Sequence, residues 1–388
     1  MKIPFHRPIF SNKTIDDVES VLSSGWVTTG KKTHLFEQKL SEYLNVKNVV
    51  AVNSCTAALH LGAIISGLKK NDMFIAPTHT FVSSVEVGEY IGATPLLVDI
   101  DMQTMNLDLN HVEDLLKKFG KKVKTIIPVH FAGNPVKMNR LRQISDPYNC
   151  FILEDAAHAL ESIDDGNKIG DTNNAAAFSF YANKNITTGG EGGAIATNDS
   201  KLADRLRMLS LHGMDKDGWS RFKSNGKWSY DITELGYKYN LTDVASIIGI
   251  DQLNNINKWH KKRSDVFDQY HRGLKSIEGI KLPPKANDNS KHAKHLYIIQ
   301  IRKKFWKISR DELIIKLNKL GLGTSVHYRP VHMHSFYQKK YGFKPEDFIK
   351  SKNLYESSIS IPMYPDLKNE EVLYVINTIN ELWSKYSK

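Results

Sequence analysis

Cysteine is almost absent from this sequence: only Cys55 and Cys150 occur among 388 residues. Two cysteines cannot build the disulfide framework of a small secreted domain, and their scarcity is typical of proteins kept in a reducing cytoplasm. The sequence also lacks any apolar run close to the ~20 residues that a membrane-spanning helix needs. Its N-terminus, MKIPFHRPIF, has proline and charges where a signal peptide has an unbroken apolar segment. We therefore expect a cytoplasmic protein with no membrane partner.

A basic stripe is absent too, although 53 Lys and Arg against 42 Asp and Glu give a formal net charge of +11. The lysines are scattered, apart from short clusters at 117–124 and 258–263. A nucleic-acid-binding module more often shows clustered basic residues with interleaved aromatics. A solvated, lysine-rich surface is the favoured interpretation, and steering of an anionic substrate is the alternative. No nucleic-acid partner is expected.

Apolar, β-branched runs alternate with amphipathic helical patterns through the first two-thirds of the chain. This alternation predicts an α/β fold with a mostly parallel central sheet sandwiched by helices. The strand candidates are 48–52, 73–76, 94–98, 125–129, 150–153, 175–180 and 193–197. Beyond residue 250 the pattern changes. It predicts one long polar helix over 244–270, a strand at 295–301 and helices at 310–320 and 369–386, as in a smaller α+β domain. We expect two domains, 1–250 and 251–388.

The most distinctive segment is FSFYANKNITTGGEGG at 178–193, where Lys184 stands between an apolar strand-like stretch and a glycine-rich turn. A lysine placed in this way can form a Schiff base with an aldehyde, and burial promotes the neutral amine that attacks. Asp155 follows a second apolar run, so its carboxylate is expected at the carboxyl end of a strand, where ligands gather. Lysine plus a fixed aspartate is the minimum set for pyridoxal phosphate (PLP) chemistry, because the aspartate keeps the pyridinium nitrogen protonated.

A candidate phosphate site lies in NSCTAALHLG, where Thr56 and Ala57 stand at a strand-to-helix junction. Backbone N–H groups at a helix N-terminus favour anions, and the Thr56 hydroxyl can add a further donor. On this segment alone, an ordinary helix-capping threonine is the favoured alternative.

Several segments in a fixed order resemble the DegT/StrS-type sugar aminotransferases, a branch of the fold-type I PLP enzymes, over nearly the whole chain. These segments are SGWVTTGKKTHLFE, NSCTAALHLG, APTHTF, PVHFAG, EDAAHA, FSFYANKNITTGGEGG, GYKYNLTD, GTSVHYRPVHMH and SISIPMYP. One departure is the turn after Lys184, which reads TTGGEGG instead of the usual TTGEGG and leaves the role of Glu191 open.

The resemblance implies a catalytic Lys184 that anchors PLP and then moves protons. The implied cofactor contacts are Thr56, Ala57 and Ser179 at the phosphate, His79 on the ring face, Asp155 at the ring nitrogen, and His158 beside the ring. In GYKYNLTD, either Lys238 or Asn240 is expected to reach the cofactor phosphate of a neighbouring subunit, which would require a homodimer with composite sites.

The resemblance also implies a nucleotide-sugar site. Its candidate residues are Trp26, Thr28, Thr29 and Gly30 in SGWVTTG, and His327, Tyr328 and Arg329 in the C-terminal loop. That loop also holds His332 and His334, but a metal site is not favoured, because no acidic or cysteine ligand pattern surrounds the histidines.

By resemblance, the enzyme transfers the amino group of L-glutamate to a nucleotide-linked keto-deoxy sugar for a surface polysaccharide such as an O-antigen. The histidine in EDAAHA and the GYKYN loop favour C4 of a 4-keto-6-deoxyhexose. The alternatives are a C3-specific aminotransferase and a PLP-binding regulator without turnover. Dehydratases of the same family replace the lysine with histidine, so the presence of Lys184 argues against that activity.

Overall fold

The computed structural model describes residues 1–215, 230–286 and 289–388. In chain order, the strands are β1 (Asn48–Val52), β2 (Met73–Pro77), β3 (Thr94–Val98), β4 (Val123–Ile126), β5 (Phe151–Asp155), β6 (Ile163–Asp164), β7 (Asn167–Lys168), β8 (Ala175–Ser179), β9 (Gly193–Thr197), β10 (Ile280–Lys281), β11 (Tyr297–Ile301) and β12 (Ser358–Ile361).

The α-helices, numbered in the same way, cover both faces of the main sheet and most of the C-terminal part. They are α1 (Asn12–Ser23), α2 (Lys31–Leu44), α3 (Cys55–Ile65), α4 (Ser83–Ile91), α5 (Leu109–Phe119), α6 (Met138–Ser145), α7 (Ser200–Ser210), α8 (Asp243–Asn254), α9 (Ile256–Leu274), α10 (Arg310–Lys319), α11 (Ser335–Tyr341), α12 (Ile349–Ser357) and α13 (Asn369–Tyr386). None of these helices is long and apolar enough to cross a membrane.

The main sheet has the strand order β1-β9-β8-β5-β4-β2-β3. The pairs β2–β3, β2–β4, β4–β5 and β5–β8 are parallel, whereas β9 runs antiparallel to both of its neighbours, β1 and β8. Six strands therefore share one direction, and only β9 is reversed. The predicted mostly parallel sheet, with helices on both faces, is confirmed.

Alternation along the strands divides the core into two layers. In β1, Val49 and Ala51 pack into one hydrophobic cluster, and Val50 and Val52 pack into the other. The first cluster takes residues from α1, α2, α5, α6 and α8, and the second takes residues from α3, α4 and α7. Because side chains of a strand alternate between faces, a strand that is buried on both sides reads as a continuous apolar run.

The C-terminal part has its own sheet, β10-β11-β12, and its own hydrophobic cluster with residues from α9, α10 and α13. Ile3, from the start of the chain, is buried in the same cluster. The single helix predicted over 244–270 is wrong: α8 ends at Asn254, and α9 begins at Ile256. Asparagine is a weak helix former, and the side chain of Asn255 bonds back to the carbonyl of Asp251. The domain division at residue 250 stays a prediction.

Candidate active site

A cavity of about 420 Å³ lies at one edge of the main sheet and contains Lys184. Its walls come from segments far apart in the sequence: Ser54, Cys55, Thr56, Thr80, Phe81, Ser83, Val129, Asp155, Ala157, His158, Ser179, Tyr181, Asn183, Lys184, Glu191, Gly192, His327 and Tyr328.

Strand direction explains why these residues meet. Thr56, Phe81 and Asp155 lie at or beyond the carboxyl ends of β1, β2 and β5, which run in the same direction. The reversed strand β9 brings its amino end to the same edge, and this places Gly192 on the cavity wall. Ligands of parallel sheets collect at this edge, so the cavity lies where the fold predicts a binding site.

Lys184 enters the cavity from the turn after β8, and its backbone N–H donates to the carbonyl of Tyr181 at 3.0 Å. Burial lowers the pKa of its amine from 10.5 to about 8, while Cys55 and Asp155 act in the opposite direction. A lysine with this pKa is partly neutral near pH 8, and a neutral amine is the form that attacks an aldehyde.

Asp155 ends β5 and is only 4% exposed. Its Oδ2 accepts a hydrogen bond from Oγ of Ser84 at 2.6 Å, and its Oδ1 accepts from the N–H of Ala157 at 3.1 Å. Burial nevertheless raises the pKa of this carboxyl, although Ser84, Ala157 and Lys184 all oppose the rise. A cation bound against Asp155 would stabilise its ionised form further.

His158 lies beside Asp155 with a defined tautomer. The N–H of Ala132 donates to Nδ1 of His158 at 3.2 Å, so Nδ1 carries no proton. In the neutral ring Nε2 must therefore carry the proton, and it lies 3.0 Å from the hydroxyl of Tyr328. Burial lowers the pKa of His158 well below its usual range, which keeps the ring neutral.

The end of the cavity near α3 suits an anion. Cys55 and Thr56 are the first residues of α3, so their N–H groups have no intrahelical partner. The N–H of Ala57, predicted as a phosphate ligand, donates instead to the capping hydroxyl of Ser54 at 3.1 Å. Gly193 packs so closely here that a Cβ atom would lie 2.5 Å from the carbonyl carbon of Ser54. Ser179, at the end of β8, lines the same end.

The placement of His79 departs from the predicted ring contact. His79 is 1% exposed, packs against the ring of Phe131 at 5.0 Å and is not among the cavity-lining residues described. Burial lowers its pKa to about 4, and the backbone of His327 acts in the opposite direction. Phe81, two residues later, lines the cavity instead and is 55% exposed. Of the two rings in APTHTF, that of Phe81 is among the cavity-lining residues described and that of His79 is not.

Sequence reasoning missed Phe81, Ser84, Tyr181 and Asn183. Ser84 carries the hydrogen bond to Asp155, and Asn183 has an Oδ1 without a partner among the described residues. Position in known motifs could have indicated Tyr181 and Asn183, which stand within FSFYANK. Ser84 carried no such signal, because its contact with Asp155 spans 71 residues.

The N-terminal segment and the GYKYNLTD loop are brought together, but they do not line the Lys184 cavity described for the single chain. Nδ2 of Asn240 donates to Oγ1 of Thr29 at 2.7 Å, and the N–H of Gly30 donates to Asp243 at 2.8 Å. Nε1 of Trp26 donates to the carbonyl of Thr29, while the carbonyl of Thr28 accepts from Asp243. Lys238 is exposed. Hydrogen bonds therefore join the predicted ligands into one cluster with Asp243: Trp26, Thr28, Thr29, Gly30 and Asn240.

The C-terminal loop is divided between the cavity and other contacts. His327 and Tyr328 line the cavity, and Nδ1 of His327 lies 2.7 Å from Oγ of Ser360. Arg329 is exposed and donates to the carbonyl of Met333. His332 makes hydrogen bonds to Thr78 and to the carbonyl of Pro345, which fixes its ring within the fold.

The additional glycine is accommodated in the turn that leads to β9. Gly189 and Gly190 both have positive φ, at 98° and 153°, a region that favours glycine. The turn closes when Oγ1 of Thr188 donates to the carbonyl of Glu191 at 2.7 Å. Glu191 then lies at the cavity wall.

The residues present fit PLP. Lys184 supplies an amine, Asp155 supplies a buried carboxyl whose ionised form a cationic ring nitrogen would stabilise, and the α3 end supplies N–H and hydroxyl groups for a phosphate. Phe81 supplies an aromatic face for a ring.

The sequence is similar to those of known proteins over nearly its whole length. The model of the DegT/DnrJ/EryC1/StrS aminotransferase family matches residues 8–380. An uncharacterized protein, MJ1066, of Methanocaldococcus jannaschii is 39% identical and covers 99% of this chain and 98% of its own length. The spore coat polysaccharide biosynthesis protein SpsC of Bacillus subtilis is 38% identical, with 98% of this chain and 97% of that protein covered.

Solved structures show the same fold with the cofactor. The putative sugar aminotransferase Spr1654 from Streptococcus pneumoniae, in its pyridoxamine phosphate (PMP) form, superposes with a TM-score of 0.91 at 32% identity. It covers 99% of this chain and 100% of its own. The same protein has also been solved in a PLP form.

Proposed function

Because this chain belongs to the DegT/DnrJ/EryC1/StrS aminotransferase family, whose members are PLP-dependent sugar aminotransferases, we propose a specific reaction for it. It transfers the amino group of L-glutamate to C4 of a nucleotide-linked 4-keto-6-deoxy sugar. The observation that carries the proposal is the pairing of Lys184 and Asp155 in one cavity, each with a pKa shifted by burial.

PLP, when bound, supplies an electron sink for the charge that develops at the donor's α-carbon. Asp155 would hold a negative charge for the ring nitrogen, and Ser84 and Ala157 orient its two oxygens. Nζ of Lys184 would hold the cofactor and, once released as a free amine with a pKa of about 8, could accept or donate a proton near neutral pH. Ser179 and the first N–H groups of α3 hold the phosphate.

Phe81, rather than His79, is proposed to cover the ring face, because Phe81 lines the cavity. His158 and Tyr328 lie beside each other on the cavity wall, and His158 donates from Nε2. The Tyr328 hydroxyl then accepts that hydrogen bond and keeps its own proton for an oxygen of the bound ligand.

A homodimer with composite sites is the proposed assembly. Thr29 is hydrogen-bonded to Asn240, and neither these two residues nor Trp26, Thr28 and Gly30 are among the described lining of the Lys184 cavity of the same chain. Contribution to a second copy's cavity is consistent with that placement. Within this proposal, Lys238 is exposed and Asn240 is bonded to Thr29, so Lys238 is the better placed to reach a neighbouring phosphate.

Amination at C4 is supported by the histidine of EDAAHA and by the GYKYN loop, as in the C4-aminating relatives that these motifs resemble. A role in polysaccharide biosynthesis is supported by the name of SpsC, a spore coat polysaccharide biosynthesis protein. An O-antigen is the proposed glycan. The positive net charge of the chain would attract the diphosphate of the nucleotide sugar.

The first experiment records the visible spectrum of the purified protein with PLP and then adds L-glutamate. A yellow colour that fades with L-glutamate supports the proposed donor. If the yellow colour persists with L-glutamate but fades with another amino acid, L-glutamate is not the donor. If no amino acid changes the colour, the alternative of a PLP-binding regulator without turnover is favoured. No yellow colour would overturn the role of Lys184.

The second experiment adds nucleotide-linked 4-keto-6-deoxy and 3-keto-6-deoxy sugars to the protein in its PMP form. Nuclear magnetic resonance of the product then identifies the carbon that bears nitrogen. Nitrogen at C4 supports the proposal, and nitrogen at C3 would replace it with the C3-specific alternative.

A further inference from the structure

A buried ion pair lies behind Lys184, outside the described cavity wall. Arg263 on α9 is 2% exposed and Glu161 is 3% exposed, and Nη2 of Arg263 donates to Oε1 of Glu161. Taking two such charges out of water costs several kcal/mol for each ion, which pairing must offset. Neither residue of the pair is among the described lining of the cavity, so contact with a bound ligand does not explain its burial.

The pair is connected to Asn185, the residue that follows Lys184. Nδ2 of Asn185 donates to Oε2 of Glu161 and to the carbonyl of Ala293 at 3.0 Å. The carbonyl of Asn185 accepts from Nη1 of Arg263 at 3.5 Å. Both the side chain and the backbone of Asn185 are therefore held by the ion pair.

Asn185 also connects to the rings on the cavity wall. Because Nδ2 faces two oxygen acceptors, Oδ1 must be the acceptor for Nδ1 of His295 at 3.0 Å. The His295 ring lies 4.4 Å from the ring of His158, at an interplanar angle of 38°. His158 in turn bonds Tyr328. One buried network thus connects the ion pair and Asn185, the residue after Lys184, to the ring of His158.

We propose that Asn185, held by the Glu161–Arg263 pair, is a positioning residue for Lys184. The N–H of Lys184 donates to Tyr181, and Asn185 fixes the backbone on the other side. The backbone from which the Lys184 side chain extends into the cavity is therefore held in place. A reacting group that is already held in the productive position does not have to adopt that position before the bond forms. A displacement of about 1 Å can lower the rate 100-fold. The inference rests on the proposed function, because it requires Lys184 to react.

The test is the rate at which cofactor-free protein turns yellow after rapid mixing with PLP, followed by stopped-flow absorbance. Asn185→Ala should slow this rate about tenfold or more, because the lysine is no longer held. Affinity for PMP, which cannot bond to the lysine, should stay within about twofold of the original protein, because the phosphate end is untouched.

Asn380→Ala is the matched control. Nδ2 of Asn380 also donates to two backbone carbonyls, at 3.2 and 2.9 Å, but in the α9–α13 contact of the C-terminal part. This variant should lower the melting temperature as Asn185→Ala does and leave the yellowing rate unchanged. Asn185→Ser, which can keep one hydrogen bond, should give an intermediate rate and serves if Asn185→Ala does not fold.

Two outcomes would overturn the inference alone: yellowing of both Asn185 variants at the original rate, or equal slowing by Asn380→Ala. A protein with its natural sequence that never turns yellow would instead overturn the proposed function, and the inference with it. The spectrum of the unsubstituted protein therefore separates the two failures.

Discussion

Oγ of Ser84, at the start of α4, donates a 2.6 Å hydrogen bond to Oδ2 of Asp155, at the end of β5. The two residues are 71 positions apart in the chain, and both are buried. This contact opposes the rise in the pKa of Asp155 that burial causes. A serine that no motif marks therefore helps to keep Asp155 ionised at the proposed cofactor site.

Ser84→Ala should move the acid limb of the activity–pH profile upward. The hydrogen bond from Ser84 holds the pKa of Asp155 down, so its loss should raise that pKa further. The measurement is kcat/KM between pH 5 and pH 9. The control is Ser145→Ala, which also removes a buried hydroxyl, but one that donates to the carbonyl of Arg142 and not to Asp155. An acid limb that shifts equally in both variants would contradict the role of Ser84.

Lys184→Ala should abolish amino transfer while PMP still binds, because the substitution leaves Ser179 and the first N–H groups of α3, which are proposed to hold the phosphate. Turnover and PMP affinity are the two measurements. Lys201→Ala, at an exposed position of α7, is the control and should behave like the original protein. Turnover by the Lys184 variant at the original rate would contradict the assignment.

Phe81→Ala should weaken PMP affinity by roughly two- to tenfold, as expected for loss of an aromatic contact of 0.5–1.5 kcal/mol. His79→Ala should lower the melting temperature, because it leaves a gap beside Phe131, without a comparable change in affinity. Equilibrium titration with PMP measures both variants. The reverse order of effects would restore His79 as the ring contact.

Mixed dimers test whether the site is composite. Lys184→Ala and Lys238→Ala protomers should each be poorly active alone, but together they should regain about a quarter of the original activity, since half of the random dimers then hold one intact site. If Lys238 served its own chain, no mixed dimer would hold an intact site and activity would not return. Replacing Lys238→Ala by Asn240→Ala in the mixture tests the second candidate.

Stability should fall as pH drops below about 6.5. Burial lowers the pKa of His292 and His327 to about 3, below the unfolded value of 6.5. At a pH between the folded and the unfolded pKa, the unfolded chain binds more protons than the folded chain. Each such histidine therefore lowers the free energy of unfolding by about 2 kcal/mol at pH 5.

The raised pKa values of Asp155, Glu161 and Asp164 act in the opposite direction, but histidines with lowered pKa values outnumber these three carboxyls in the described residues. The melting temperature of cofactor-free protein at pH 7, 6 and 5 is the measurement. No change across this range would contradict the prediction.

Local sequence pattern determined the parts of the fold that depend on neighbouring residues. Continuous apolar runs indicated the buried strands, and the segment around Lys184 indicated its chemistry, because strand burial and turn geometry are properties of short segments. The predicted final helix over 369–386 matches α13 from Asn369 to Tyr386. The break at Asn255 was missed, because the apolar pattern continues through it while the packing partner changes from α2 to α13.

Tertiary structure alone decided which side chains meet. APTHTF contains His79 and Phe81, but only the path of the chain after β2 determines which ring lines the cavity. The contacts of Ser84 with Asp155 and of Glu161 with Arg263 span 71 and 102 residues. Such pairs leave no local signal, because the free energy that fixes them comes from burial and hydrogen bonding after the sheet has formed.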